Sequence, residues 1–258
     1  MFQATTLRFE SIDSTNLEAM RQARAGAPEG VSVLAREQTT GRGRLDRTWH
    51  SPRDAGLYFS TILRPKLPMN LWPLLPLMTA LAVSDALMKS CGLRADIKWP
   101  NDILANDRKL CGILAETTET ANGSAAIVGI GINLTKDAVP EGLRSNATSL
   151  EEEIAHKIDS EKLLSELLKA FAERYQALQS EGGAEHTIRE WCANSSYAFG
   201  RQVRVSLNDE GFVGVTRGLD NDGALRVELS DGRVTQVRAG DVIGLRPTLS
   251  DQEQLNGK

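Results

Sequence analysis

Gln38-Thr39-Thr40-Gly41-Arg42-Gly43-Arg44-Leu45-Asp46-Arg47-Thr48-Trp49 is the stretch on which the fold class turns. It holds two glycines, three arginines and a tryptophan in a segment too polar for a core, and reads as a loop that closes on an anion. Gly41 and Gly43 allow backbone conformations barred to other residues and a close approach to a ligand. Arg42, Arg44 and Arg47 offer planar, permanently charged forks for phosphate or carboxylate oxygens. Trp49 adds a flat surface for a base. The glycines begin like a dinucleotide fingerprint, but Asp46 stands where its last glycine belongs and no helix pattern follows, so a Rossmann reading fails. No Gly-Lys-Ser/Thr sequence occurs, which argues against a P-loop. Arginine side chains, and not a helix N-terminus, are left to hold the phosphate.

Working outward, three further segments share that chemistry. Lys98-Trp99-Pro100-Asn101-Asp102 ends a predicted strand (94–99) in a turn, where proline fixes the backbone and Asn and Asp bond their own main chain. Arg108-Lys109-Leu110-Cys111-Gly112-Ile113-Leu114 opens a strand in which regular alternation predicts Lys109, Cys111 and Ile113 on one face. Gly129-Ile130-Gly131-Ile132-Asn133 lies in a buried strand, where glycines are costly unless something approaches the backbone; a flat ligand is the expected occupant.

These motifs, in this order, resemble the successive signatures of biotin protein ligases, and the resemblance runs through nearly the whole chain. It implies an α+β fold: a mixed-sheet catalytic domain of the biotin/lipoate ligase type with a small C-terminal SH3-like β-barrel. It implies ATP and biotin as substrates with Mg²⁺, biotinyl-5′-adenylate as intermediate, and a lysine of the carrier domain of a biotin-dependent carboxylase as acceptor. Carried over residue by residue, it assigns Ser14, Thr15, Asn16, Gln38, Gly41, Arg42, Gly43, Arg44, Lys109, Gly112, Gly129 and Gly131 to biotin. Arg44, Arg47, Trp49, Asn101, Lys109 and Asn133 go to the nucleotide. Lys109, Arg44 and Arg47 are the expected catalytic charges, with Lys109 bridging carboxylate and α-phosphate. Asp102 is left between binding the metal, helping to deprotonate the carrier lysine, and fixing a turn. Many members of the family have glycine at Asp46, and a carboxylate there could pair with one of the arginines.

The remaining residues fill in the frame. Residues 6–10 read as a strand, and Asp13-Ser14-Thr15-Asn16 as the cap of a helix ending near Ala25, with Ser and Asp accepting first-turn N–H groups. Strands are expected at 31–36 and 56–63, and a core helix ending at Cys91-Gly92. Helical spacing runs from Ser149 to Ser180 with the stripe Leu163, Leu164, Leu167, Leu168, Phe171, Tyr175 and Leu178; another helix covers 185–192. From about residue 198 the pattern changes to four short strands separated by Asn208-Asp209-Glu210-Gly211, Asp220-Asn221-Asp222-Gly223 and Asp231-Gly232 turns. The expected division is 1–197 for the catalytic domain, 198–247 for the barrel and 248–258 for a polar tail.

Composition narrows the function classes. With a net charge of -4, neither nucleic acid nor an anionic membrane is proposed as the main partner, and a basic loop in an acidic chain points to a small anion. Cys91, Cys111 and Cys192 lack CxxC spacing and read as packed, reduced thiols. His50, His156 and His186 are scattered, so a nucleophilic triad has no base. No signal-peptide pattern and no run of ~18 apolar residues is seen, giving a cytoplasmic expectation for a monomer or homodimer. Two alternatives remain: a lipoate or octanoate ligase, and a biotin-sensing repressor. Gln38 and Ser14 to Asn16 argue for a polar ring against the first. Against the second, a winged-helix domain of ~60 residues would have to precede a site that begins at residue 14.

Overall fold

The computed structural model describes residues 5–207 and 210–245. The chain opens with β1 (Thr5–Phe9), α1 (Thr15–Arg24), β2 (Val31–Ala35) and β3 (Gly56–Leu63). The next helix is α2 (Leu74–Cys91), followed by β4 (Asp96–Lys98), β5 (Asp102–Ala105), β6 (Arg108–Thr120) and β7 (Gly123–Asn133). Seven strands form one sheet in the order β1-β2-β3-β7-β6-β5-β4. Among the described strand pairs of this sheet only β1–β2 is parallel. The sheet is therefore mixed, with α1 against one part of it and α2 against another.

α2 is apolar nearly all round because it is buried nearly all round; it packs on the sheet and on α4 (Ser160–Leu178) and α5 (Gly183–Ala193). By length and composition it could also cross a membrane, but two-thirds of it, 67%, is buried inside the protein. Its single acid, the partly exposed Asp85, meets Arg174 of α4 at 2.8 Å. Gly92 ends it in the left-handed conformation at φ 66, bonding back to the Leu87 and Met88 carbonyls.

The helical stretch expected over 149–180 is interrupted. A single turn, α3 (Leu150–Glu153), stops at an extended Ile154, and α4 restarts where the Asp159 carboxylate accepts the Lys162 N–H. The stripe predicted for α4 is buried at Leu163, Leu164, Leu167, Phe171, Tyr175 and Leu178.

Among the described residues five strands, not four, make the C-terminal sheet: β8 (Phe199–Leu207), β9 (Glu210–Leu219), β10 (Leu225–Glu228), β11 (Val234–Val237) and β12 (Asp241–Gly244). All are antiparallel, in the order β11-β10-β9-β8-β12, around Val203, Val205, Leu225, Val227, Val237 and Val242. β12 is short and follows Ala239-Gly240, so no alternating run announces it. Of the predicted turn at 208–211, Asn208 and Asp209 lie outside the described residues, as does the expected polar tail at 248–258. The small sheet is tied to the large one by the Trp99 indole N–H, which donates to the Gly223 carbonyl at 3.0 Å.

Candidate active site

The floor of the site is a pair of glycines facing each other across β6 and β7, Gly112 opposite Gly131, with Leu114 opposite Gly129 one step along. No flat ligand is needed to explain them, because side chains of the protein fill the gaps. A Cβ on Gly131 would lie 2.5 Å from the Trp49 indole nitrogen, and one on Gly112 3.0 Å from its ring. A Cβ on Gly129 would strike the Asn16 amide. Above the slot, Lys109 Nζ sits 5.4 Å from the Trp49 ring centroid, a cation–π contact.

Lys109 does not share a face with Cys111 as alternation predicts. The β5–β6 register slips between Ile103 and Leu104, so that Ile103 faces Cys111 while Leu104 faces Lys109. This leaves Leu110 as an extra residue, a bulge that turns Lys109 onto the face of Gly112. Leu110 and Cys111 are both fully buried as a result. Burial in turn pushes the Cys111 thiol pKa up, leaving a packed, inert thiol. Asp102, expected in a turn, instead begins β5 opposite Gly112. Its Oδ1 lies 2.6 Å from Lys109 Nζ, close enough for an ion pair but not aligned for a directed hydrogen bond.

The arginine loop is a tight hairpin. Gly43 N–H donates to the Arg47 carbonyl at 2.7 Å, Trp49 N–H to Gly41 at 2.9 Å, and Arg42 bridges Thr48. The left-handed residues are Leu45 and Asp46, at φ 54 and 55, and not the two glycines. Gly41 is needed for closeness, since a Cβ there would collide with the Trp49 carbonyl and Ser51. Each arginine rests on an acceptor of the protein: Arg42 on Glu116 at 3.1 Å, Arg44 on Asn101 Oδ1 at 3.3 Å and the Gly240 carbonyl at 3.2 Å, Arg47 on Asp241. None of these acceptors is Asp46. Burial lowers the Arg44 pKa, partly offset by Asp241 and Asp102. Burial likewise lowers that of Lys98, with Asp102 opposing and Lys109 adding to the shift.

At the other end the side chains that line the cavity are mostly neutral. Ser14 occupies the N-cap of α1, but its side chain makes no capping bond. Gln38 does that work instead: its Oε1 accepts the Thr15 N–H at 2.8 Å and the Thr15 hydroxyl at 3.0 Å, while its Nε2 donates to Ser51 at 2.8 Å. The buried Ser60 hydroxyl lies 2.7 Å from both Thr15 Oγ1 and Asn16 Oδ1. Asn16 Nδ2 donates to Glu116 at 2.8 Å and to the Leu114 carbonyl at 3.2 Å.

These two ends share one cavity of about 400 Å³, lined by every predicted site residue except Gly41. Sequence reasoning missed the rest of its wall. The segment after β7 brings Ala138, Val139, Pro140, Leu143 and Ala147 to the cavity as an apolar panel beside Asn133. Lys109 anchors that segment, its N–H donating to Asn146 at 2.8 Å and its carbonyl accepting from Thr148 at 2.9 Å; Asn133 Nδ2 donates to the Thr148 carbonyl at 2.9 Å. Asp241 was also missed, because β12 was. Among the described residues no group of three or more His, Cys, Asp or Glu forms a metal-binding cluster.

Known proteins resemble this chain over most of its length. The pattern of the biotin/lipoate A/B protein ligase family matches residues 8–133, and that of the biotin protein ligase C-terminal domain matches 198–243. A Paracoccus denitrificans protein named biotin acetyl-CoA-carboxylase ligase is 37% identical over 228 residues, covering 86% of this chain and 93% of that one. A Bacillus subtilis bifunctional ligase/repressor is 35% identical over 234 residues, 90% of this chain and 71% of that one. Among solved structures, the Aquifex aeolicus biotin protein ligase in complex with biotin and ATP superposes with a TM-score of 0.81 at 30% identity, covering 94% of this chain and 99% of that chain. The Leishmania major biotin protein ligase in complex with biotinyl-5-AMP gives 0.64 at 25% identity, covering 91% and 99%.

Proposed function

Because the chain belongs to the biotin/lipoate A/B protein ligase family, and within it to the biotin protein ligases, we propose that its cavity joins biotin to AMP and passes the biotinyl group to a carrier lysine. The neutral end takes the ring. A ureido group has two N–H donors and one carbonyl acceptor, and Asn16 Oδ1 with the hydroxyls of Ser14 and Thr15 can answer both. The apolar panel from Ala138 to Ala147, with Asn133, takes the base. The carboxylate of biotin and the α-phosphate then meet at Lys109.

In the first step a biotin carboxylate oxygen attacks the α-phosphorus and the bond to pyrophosphate breaks. No proton has to move. Two anions must be brought together, and positive charge placed where negative charge accumulates is commonly worth ~3 kcal/mol per group. Lys109 supplies it at the join, Arg44 and Arg47 along the phosphates. Asp102 fits a role as a Mg²⁺ ligand: its buried Oδ1 has no directed hydrogen bond, and Mg²⁺ commonly takes one or two carboxylates with phosphate oxygens and water. Bound there, Mg²⁺ would neutralise polyphosphate charge.

In the second step the carrier amine attacks the acyl carbon and AMP leaves. An amine with a reference pKa of ~10.4 arrives protonated. Lys109, Arg44 and Arg47 disfavour another positive charge beside them, which favours loss of that proton to solvent at the mouth. Trp49, on the wall of the same cavity, would shield the adenylate from water.

The observation that carries this reading is the placement of Lys109 by the bulge, on the glycine floor where neutral and charged ends meet. Biotin-dependent exchange of pyrophosphate into ATP tests it. Exchange that requires biotin is expected; exchange independent of biotin, or none, contradicts the adenylate.

A further inference from the structure

Glu116 does not line the cavity, yet it touches both ends of the biotin subsite. Beyond the bulge β6 alternates, so Leu114, Glu116 and Thr118 share the face covered by α1. The two carboxylate oxygens are divided: Oε2 accepts from Asn16 Nδ2 at 2.8 Å, and Oε1 lies 3.1 Å from the Arg42 guanidinium. Asn16 Nδ2 also donates to the Leu114 carbonyl. A primary amide has two orientations, and a carboxylate, which only accepts, permits one of them. With its NH₂ held by Glu116 and Leu114, Asn16 turns Oδ1 toward Ser60 and into the gap above Gly129. That is the acceptor a ring N–H requires.

We propose that Glu116 is a positioning residue that fixes the acceptor end of Asn16 and the first arginine of the loop on one anchor, coupling recognition of the ring to the position of Arg42. The inference rests on the biotin-ligase reading. Glu116→Gln is nearly isosteric but has one acceptor oxygen where two donors converge. Either Arg42 faces an NH₂ group, or Asn16 flips and presents donors to donors.

The test measures pyrophosphate exchange in the full chain against biotin and MgATP concentrations. Glu116→Gln is expected to raise the KM for biotin about tenfold, the scale of one charge-assisted hydrogen bond lost with its donor left unpaired. The KM for ATP and the rate at saturating biotin stay within about threefold. Thr118→Val is the control, since Thr118 is buried on the same face and its hydroxyl accepts from Arg24 of the same helix at 2.9 Å, with no link to Asn16 or Arg42. It should lower Tm and leave the KM for biotin alone. An equal rise in that KM in Thr118→Val would show general loosening and overturn the inference. So would an unchanged KM in Glu116→Gln. Should that variant not fold, Glu116→Asp, whose shorter arm cannot span both donors, gives the same reading with a smaller rise, and an unchanged KM counts equally against. Absence of biotin-dependent exchange in wild type would instead remove the biotin-ligase reading, and this inference with it.

Discussion

At the end of the cavity built by Thr15, Asn16, Gln38 and Ser60, the side chains that meet one another are neutral, held at 2.7 to 3.0 Å within a chain of amides and hydroxyls. At the end built by Arg44, Arg47, Asp102, Lys109 and Asp241, most contacts carry charge, and the cations rest on carboxylates or carbonyls. The difference separates two ways of binding. Buried neutral dipoles already satisfied by one another are preorganised and discriminate by the cost of leaving a partner unpaired. Cations resting on carboxylates must exchange one anion for another, so that end responds to ligand charge, to salt and to the metal. The three arginines need no bound anion to keep them from repelling one another, because Glu116, the Gly240 carbonyl and Asp241 already serve.

The sharpest break in the comparison is Lys109→Ala. At ~3 kcal/mol for a placed charge, biotin-dependent exchange should fall by about two orders of magnitude or more. Tm should scarcely move, because the Lys109 ammonium is partly exposed and its pair with Asp102 contributes little to folding. Exchange within threefold of wild type in a folded variant would take Lys109 out of the chemistry.

At the neutral end stability and binding should move together. Thr15→Val removes the hydroxyl between Ser60 and Gln38, a buried loss of about 1–3 kcal/mol. Tm should drop and the KM for biotin rise about tenfold, while the KM for ATP stays near its wild-type value. A lower Tm with an unchanged KM for biotin would mean that the network is scaffold only.

Asp241→Asn sharpens the other side. Exposed pairs are worth about 0–1 kcal/mol, so freeing Arg47 should lower the KM for ATP by at most about fivefold. A rise would show that Asp241 serves the nucleotide or its metal directly.

Smallest is the effect of pH through Lys98. Its pKa is lowered by burial, so the folded state disfavours the ammonium relative to the unfolded chain. That cost is present below the folded pKa and fades as pH rises through it toward the ordinary value of 10.5. Lys98→Met should therefore raise Tm modestly at neutral pH, with the gain shrinking at alkaline pH. A gain independent of pH would point to packing instead.

How much of this the sequence carried follows from what each residue type can signal. Glycine after Cys91 and the stripe of α4 mark helices plainly. Gly112, Gly129 and Gly131 mark a close approach but not its occupant, and only the fold shows Trp49 and Asn16 there. The Leu110 bulge was invisible, since Lys-Leu-Cys-Gly is as compatible with alternation as with one extra residue. Ser14 looked like the cap, whereas Gln38, distant in sequence, holds the first N–H of α1. Asp241 and the panel from Ala138 to Ala147 escaped because a four-residue strand and a loop of tight turns have no period to read.

In the proposed reaction the neutral end of the cavity selects a polar ring and the charged end activates its carboxylate. The most direct test is the mass added to a biotin carrier domain by the wild-type chain with MgATP and equal concentrations of biotin and lipoate. The expected product is a carrier bearing one biotinyl group on lysine, with no lipoyl adduct, and no product when ATP is omitted. A lipoylated carrier at comparable yield would contradict the selection assigned to Asn16, Thr15 and Gln38, and an unmodified carrier would contradict the proposed reaction.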